Sequence, residues 1–427
     1  MIPLRLHEFH QRLGTRFSAL NGAEVVNDYG DWPAEHAALR GSAAILDLSF
    51  RGRICLVGSD RVRFLHGQVT NDVKKLAAGS GCYAALVTAK GRMESDLNIF
   101  CLADELLLDF EPGLTDKVTQ RLERFIVADD VQIVDAAPHY GLLSVQGPQA
   151  EAVIRASGLF GVPPSGGSAV TFPDRVNAEL PTKPFSSIKI SDTTLGEIYL
   201  VNHPRLGMSR SRGNEAQFKI GNRKSEIRND SETPHVVSYN SGFDLFIPDA
   251  SLAAVAGQLI AAAISVGGLA CGWQAFETAR IEAGIPRFVA DMDESNLPLE
   301  CGIEERAVSY HKGCYIGQEV INRVHSFGHV TKELRGLRLA DPAGAGLPLP
   351  QKGDKLFHAG KEIGYVTSAV KSPVLNALDV PRLPSEGGNI ALGYVRREAN
   401  QIGTELTLRT AAGDRPAKIV SLPFVEQ

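Results

Sequence analysis

Residues 82–110 read "CYAALVTAKGRMESDLNIFCLADELLLDF". Three short runs, 82–89, 95–102 and 105–110, are apolar or alternating, and a glycine turn and an acidic turn separate them. Consecutive strands with no helix between them predict an antiparallel sheet. Upstream, "GRICLV" (52–57) predicts a strand. "GSDRVRFLHGQV" (58–69) predicts a helix from Asp60, with Val62, Leu65 and Val69 on one face. Downstream, "TDKVTQRLERFIV" (115–127) returns to the helical period, with Thr115 as its cap. The order strand, helix, several strands, helix, strand is that of an α+β unit with its helices on one face of the sheet.

A second unit follows the same logic. "GLLSVQG" (141–147) predicts a strand and "PQAEAVIRAS" (148–157) a helix opened by Pro148. "SSIKIS", "GEIYLV" and "GFDLFIP" predict further strands, and helices are expected over 250–265 and 272–284. Between the last two strands lies a polar stretch, about 205–238, that reads as a surface insertion. After about residue 330 the pattern becomes short strands with Gly, Asp and Asn turns, which predicts a small antiparallel barrel. Residues 371–389, "KSPVLNALDVPRLPSEGGN", read as a Pro-rich excursion from one of its loops.

The bulk properties narrow the function. The chain has 427 residues, 44% of them hydrophobic, and a net charge of −5. That length implies two or three domains, and the mildly acidic balance offers no general attraction for nucleic acid or anionic lipid. The longest apolar stretch, from Leu252, is broken by Gln258, Ser265 and glycines and reads as a buried helix and turn, so no membrane span is expected. No secretory leader is evident, and six cysteines without a C-x-x-C pair fit a reducing cytoplasm. Cys55 and Cys101 lie in apolar strands and read as core thiols. No zinc or P-loop pattern occurs. His325 and His329 read as polar residues of a turn-like stretch, so no metal site is expected.

One stretch carries chemistry. Residues 311–320 read "HKGCYIGQEV", with Cys314 between two glycines and preceded by His311 and Lys312. Two readings stand. Gly313 and Gly317 make a tight turn over a packed thiol, or they open the backbone around a reactive one. "GQEVINRV" has helical spacing, so Cys314 lies just before a helix start. Neighbouring cations and a helix N-terminus both lower a thiol from its reference near about 8.5. Gln318 and Glu319 can hydrogen-bond the loop or cap the new helix.

Taken together, the motifs resemble a known group. The opening block 28–73, the block 279–324, and "GYVTSAVKSP" (364–373) with "IALGYV" (390–395) are similar to the folate-binding aminomethyltransferase superfamily. That superfamily holds the T-protein of the glycine cleavage system and the YgfZ-like proteins. "KGCYIGQE" resembles the YgfZ-like branch and its mitochondrial iron–sulfur assembly relatives. The resemblance implies a three-domain cloverleaf: an α+β folate-binding lobe over 1–46 and 136–329, a second α+β lobe over 47–135, and a barrel over 330–427. It implies tetrahydrofolate in a central hole. It also implies a role in assembling or repairing iron–sulfur enzymes, including those that thiolate tRNA, with client proteins as partners and no direct nucleic-acid contact.

The resemblance also suggests residues. Asp244, in "SGFDLFIP", stands where T-proteins carry an acid that pairs the pterin edge, and Phe243 would wall the ring. Arg280, in "ARIEAGIP", matches an arginine that helps hold folate. Asn71 and Asp72 sit in a loop that faces folate in the family, although such residues also favour turns by bonding their own backbone. Asp96 follows Ser95 where T-proteins usually carry two acids, and that departure counts against glycine cleavage. Lys90 and Arg92 match a YgfZ-like turn that would meet an anionic folate tail, or are plain exposed cations. Cys314, Lys312 and Asp96 are thus the candidate catalytic residues of a folate-dependent iron–sulfur accessory factor. The alternative is an aminomethyltransferase moving a one-carbon unit to tetrahydrofolate. A flavin-linked demethylase module is a third reading, disfavoured because no dinucleotide-binding glycine motif opens a helix after a strand.

Overall fold

The structure is a computed structural model and describes residues 1–159, 179–207, 241–340, 347–377 and 386–425. Most of the expected polar insertion and the middle of the Pro-rich excursion lie outside these residues.

Two large sheets, a two-stranded one and a barrel organise the chain. The five-stranded sheet has the order Ser80–Val87, Met93–Cys101, Leu106–Phe110, Gly52–Val57, Gln132–Asp135, and every pairing is antiparallel. The three runs that predicted it are three adjacent strands. The six-stranded sheet has the order Ser187–Asp192, Gly196–Asn202, Gly242–Pro248, Tyr140–Gln146, Ala44–Asp47, Leu269–Ala270. Its last pair, Leu269–Ala270 on Ala44–Ile45, is parallel, which the antiparallel expectation missed. Its strand is two residues long and arrives directly from the helix Leu252–Ser265, so a crossover precedes it.

Strand alternation decides what each sheet buries. In Met93–Cys101, the side chains of Leu97, Ile99 and Cys101 pack with Leu65, Val118 and Leu122 of the helices Arg61–Gln68 and Thr115–Glu123. Thr115 is the first residue of its helix; its expected capping position is held by Leu114, with no side-chain cap bond. Phe100 points the other way, into a core shared with Leu142 and Phe246 of the six-stranded sheet. That sheet alternates likewise. Phe243, Leu245 and Ile247 face Val255 and Leu259 of Leu252–Ser265, whereas Phe246 faces the shared core. The two sheets therefore meet by their inner faces and carry helices on their outer faces.

The barrel closes in the order Lys332–Ala340, Glu386–Arg396, Lys361–Lys371, Lys355–His358, Glu405–Thr410, Gly413–Val420. Leu337, Leu356, Val366, Leu408 and Ile419 fill it. Leu334, Leu392 and Tyr394 turn outward into the core shared by the sheets. The helix Trp273–Glu282 is the fastener. Glu282 accepts from His36 (2.9 Å), Arg40 (3.1 Å) and Ser372 (2.5 Å), so one buried carboxylate ties two helices to the end of a barrel strand.

Candidate functional site

Where the two inner sheet faces meet, buried charges pair across the seam. Asp244 lies on the same face of its strand as Phe246. Its Oδ1 accepts from Ser144 Oγ (2.7 Å) and Arg205 Nε (3.1 Å); its Oδ2 accepts from Arg205 Nη2 (2.6 Å) and pairs with His203 Nδ1 (2.7 Å). Arg205 Nη2 reaches on to Asp109 Oδ2 (3.3 Å) of the other sheet. Asp109 also holds Arg51 (2.8 Å) and Asn98 (2.9 Å). Burial opposes ionisation of Asp244, but Arg205 and then His203 outweigh it and hold its carboxyl well below the usual range. Burial and the Arg205 charge in turn lower His203, against the opposing pull of Asp244.

Arg205 corrects the sequence reading. It stands at the edge of the stretch assigned to a surface insertion, yet its side chain is only 8% exposed and bridges both sheets. Phe243 is a second correction. Strand alternation sends it into the core under the outer helices, and Phe246 takes the place beside Asp244. Phe246 joins Phe100 (5.6 Å between ring centroids), Phe100 joins Phe185 (5.9 Å), and Phe185 lies against His203 (5.0 Å). Phe185 holds a backbone φ of 63°, a region bulky residues avoid. Its N–H donates to Asn202 O (2.7 Å), which keeps it there.

Arg280 is buried in a second network. It donates to Asp291 (2.6 Å) and the carbonyl of Ile285 (2.8 Å), pairs with Glu277, and reaches Ser368 of the barrel (3.3 Å). Burial weakens its charge, but Glu277 and Asp291 more than restore it. Its bonds to Glu277, Ile285, Asp291 and Ser368 join the helix to the barrel. Arg287 links the two networks through Glu111 (2.6 Å), which also accepts from Arg51 (2.7 Å).

Asp96 faces the same side as Asn98 and Phe100, whereas Ser95, fully buried, takes the opposite side of the strand. Asp96 Oδ2 accepts from Tyr83 (2.8 Å), and its buried Oδ1 has no hydrogen-bond partner among the described residues. Burial, then the charge of Glu111, pushes its carboxyl up to about 6. The remaining acid of the expected pair is thus the inward-facing one.

Asn71 stitches this face together. Its amide donates to the carbonyls of Tyr83 (2.8 Å) and Arg306 (3.0 Å), and its side-chain oxygen accepts from Asp72 N (2.8 Å). Asp72 lies 3.4 Å from His66 Nδ1 and 3.4 Å from Lys75.

The cysteine motif meets this face through Lys312 and Asn71. Cys314 is exposed on the loop before the helix Gln318–Phe327. Gly317 caps that helix with φ 85°, and a Cβ there would lie 2.5 Å from the carbonyl of Thr88. The motif therefore packs backbone to backbone on the turn bearing Lys90, Gly91 and Arg92. Arg92 of that turn is anchored, donating to Ser295 O (2.5 Å). Lys312 corrects an expectation: its ammonium turns inward to the carbonyls of His66 (2.6 Å), Val69 (2.6 Å) and Asn71 (2.8 Å). It stabilises the C-terminal end of the helix Arg61–Gln68, where carbonyls lack intrahelical donors. Burial lowers it to about 8. The other five thiols are raised by burial, Cys82 to about 12 and Cys55, Cys101, Cys271 and Cys301 likewise upward.

His325 lies in the last turn of its helix, not in a loop as expected, and pairs with Glu304 (2.6 Å) while stacking on Tyr310. It lines a cleft of about 300 Å³ with His329, Glu300, Glu333 and Arg397. Among the described residues no group of three or more His, Cys, Asp or Glu is arranged to hold a metal ion, and no helix is long and apolar enough to cross a membrane.

Comparison with known proteins accounts for this architecture. Residues 6–159 match the GCVT N-terminal domain, and residues 381–426 match the glycine cleavage T-protein C-terminal barrel domain. Both matches are to domains of the glycine cleavage T-protein. Proteins named aminomethyltransferase are similar along the length of this chain. That of Symbiobacterium thermophilum is 26% identical, covering 98% of this chain and 96% of its own, and that of Bacillus subtilis is 24% identical, covering 99% and 98%. The solved structure of glycine cleavage system aminomethyltransferase T from Bartonella henselae has the same fold, with a TM-score of 0.75 at 21% identity over 100% of this chain and 98% of its own.

Proposed function

We propose that this chain binds a reduced folate at the seam between its two sheets and serves as an accessory factor in assembling or repairing iron–sulfur enzymes, including those that thiolate tRNA, with Cys314 as its reactive group. The observation that carries this is the contrast among its thiols: five are buried or partly buried with raised pKa values, and Cys314 is exposed on a loop anchored on both sides. A single thiolate does not hold a cluster, which normally takes four ligands. Cys314 therefore acts with ligands or thiols from a client protein, by ligation or by mixed-disulfide exchange.

The seam suits a flat ligand with N–H donors. Asp244 already accepts a planar pair of N–H groups, Asp96 Oδ1 is buried without a donor among the described residues, and Phe246, Phe100 and Phe185 supply apolar ring faces. Tetrahydrofolate presents such an edge in its pterin and, when bound, supplies an acceptor for a one-carbon unit. Asp96 and Tyr83 would orient it, and Asp96, raised to about 6, would exchange a proton near neutral pH.

That property of Asp96 favours the second reading, aminomethyl transfer to tetrahydrofolate. The two separate in one experiment. Cells lacking this protein are scored for a thiolating radical enzyme's cluster activity with a wild-type or a Cys314→Ala copy, and the purified chain is assayed for methylenetetrahydrofolate formation from an aminomethyl-lipoyl donor. The accessory role expects rescue only by the wild type and negligible transfer. Robust transfer with full Cys314→Ala rescue reverses the assignment.

A further inference from the structure

Arg205 grips Asp244 side-on. Its Nε–H and Nη2–H, which lie in one plane, address Oδ1 and Oδ2 at 3.1 and 2.6 Å. A 2-amino-4-oxopyrimidine edge, with a ring N–H beside an exocyclic amine, offers a carboxylate the same planar pair of donors. We propose that Arg205 is an internal occupant of this carboxylate, so that a reduced folate binds Asp244 only by displacing it. The proposal rests on the folate reading above and adds an autoinhibitory contact that sets the strength and selectivity of binding.

The surroundings make displacement feasible. The backbone of Arg205 is fixed, its N–H donating to Gln146 Oε1 (3.0 Å), while its guanidinium already spans to Asp109 (3.3 Å). An arginine released from Asp244 keeps a buried counter-charge in Asp109, so no guanidinium is stranded without a partner. Asp244 keeps Ser144 and His203 in either state, which hold the carboxylate in the plane it presents. Phe246, next but one along the strand, borders the same position.

A ligand that competes with a tethered side chain binds more weakly than its contacts alone allow, and removing the competitor reverses that. The full chain and its Arg205→Ala and Arg205→Lys variants are titrated calorimetrically with 5-formyltetrahydrofolate, with and without methylguanidinium. The expected result is binding roughly tenfold or more tighter in Arg205→Ala, and a smaller gain in Arg205→Lys, whose ammonium lacks the planar fork. About 20 mM methylguanidinium should cancel the gain in Arg205→Ala and raise its melting temperature, and should leave the wild type unchanged. If Arg205→Ala does not fold, the direction of the Arg205→Lys change decides. Equal or weaker binding by the folded variants overturns the proposal and makes Arg205 a structural or direct ligand contact. Absence of binding by every chain overturns the folate reading, and the proposal with it.

Discussion

The ammonium of Lys312 lies 2.8 Å from the main-chain carbonyl of Asn71, a contact between residues 241 positions apart. It joins the cysteine loop to the turn that holds Tyr83 and, through the Tyr83 hydroxyl, Asp96. The charge of Lys312 therefore acts on a helix end. Lys312→Met leaves three carbonyls without their donor and should cost about 2–4 kcal/mol, measured by denaturant unfolding. A loss below about 1 kcal/mol would mean that water replaces the ammonium without penalty.

Cys314 should be the fastest of the six cysteines to react with iodoacetamide in the native protein. The thiolate is the nucleophile, and burial both hides the other five and raises them, Cys82 to about 12. Peptide mass spectrometry after timed quenching ranks them. A Cys82 or Cys301 that keeps pace with Cys314 would show that the fold opens on the timescale of labelling.

Gly317→Ala should disturb the same loop. The added Cβ meets the Thr88 carbonyl at 2.5 Å in a left-handed backbone that alanine disfavours. The expected cost is about 1–3 kcal/mol, together with a changed Cys314 labelling rate in the folded state. Unchanged stability and rate would indicate that the turn has room to shift.

Asp96→Asn should stabilise the chain above pH 6. The folded-state pKa of Asp96 is raised from 3.8 to about 6, so the folded protein binds this proton more tightly than the unfolded chain. The associated stability is complete below about 3.8 and is lost as pH rises through 6. Asparagine carries no charge at any pH and escapes that loss, a gain on the order of 2–3 kcal/mol at pH 7.5 that shrinks from pH 6 toward pH 4. Melting curves of both proteins at pH 7.5 and 4.5 test it. A variant less stable than wild type at pH 7.5 contradicts a burial-driven shift.

Arg280→Met should destabilise the protein by about 3–5 kcal/mol, because Asp291 would remain buried without its counter-charge. Calorimetric unfolding gives the value. Replacing Asp291 by Asn in the same chain should restore part of the loss, and additive losses would show that the two residues do not act as a pair.

The strands around residues 82–110, the outer helices and the barrel were legible in the sequence, because each depends on a local repeat of apolar positions that the backbone period turns into a face. The same local rule, applied to odd and even positions, sorts Asp96 from Ser95 and Phe246 from Phe243 once the strand is known to face a second sheet. The cysteine motif was legible as a tight glycine turn before a helix, since Gly317 is demanded by its own backbone angle. What each charge does was not legible. Arg205 lay at the edge of a polar stretch and Lys312 beside a thiol, and both are drawn instead to acceptors far away in the chain: Asp109 is 96 residues from Arg205, and His66 is 246 from Lys312. A buried charge takes whichever partner lowers its desolvation cost most. That partner is chosen by how the two sheets meet, so tertiary packing alone assigned Arg205 to Asp244 and Lys312 to a helix end.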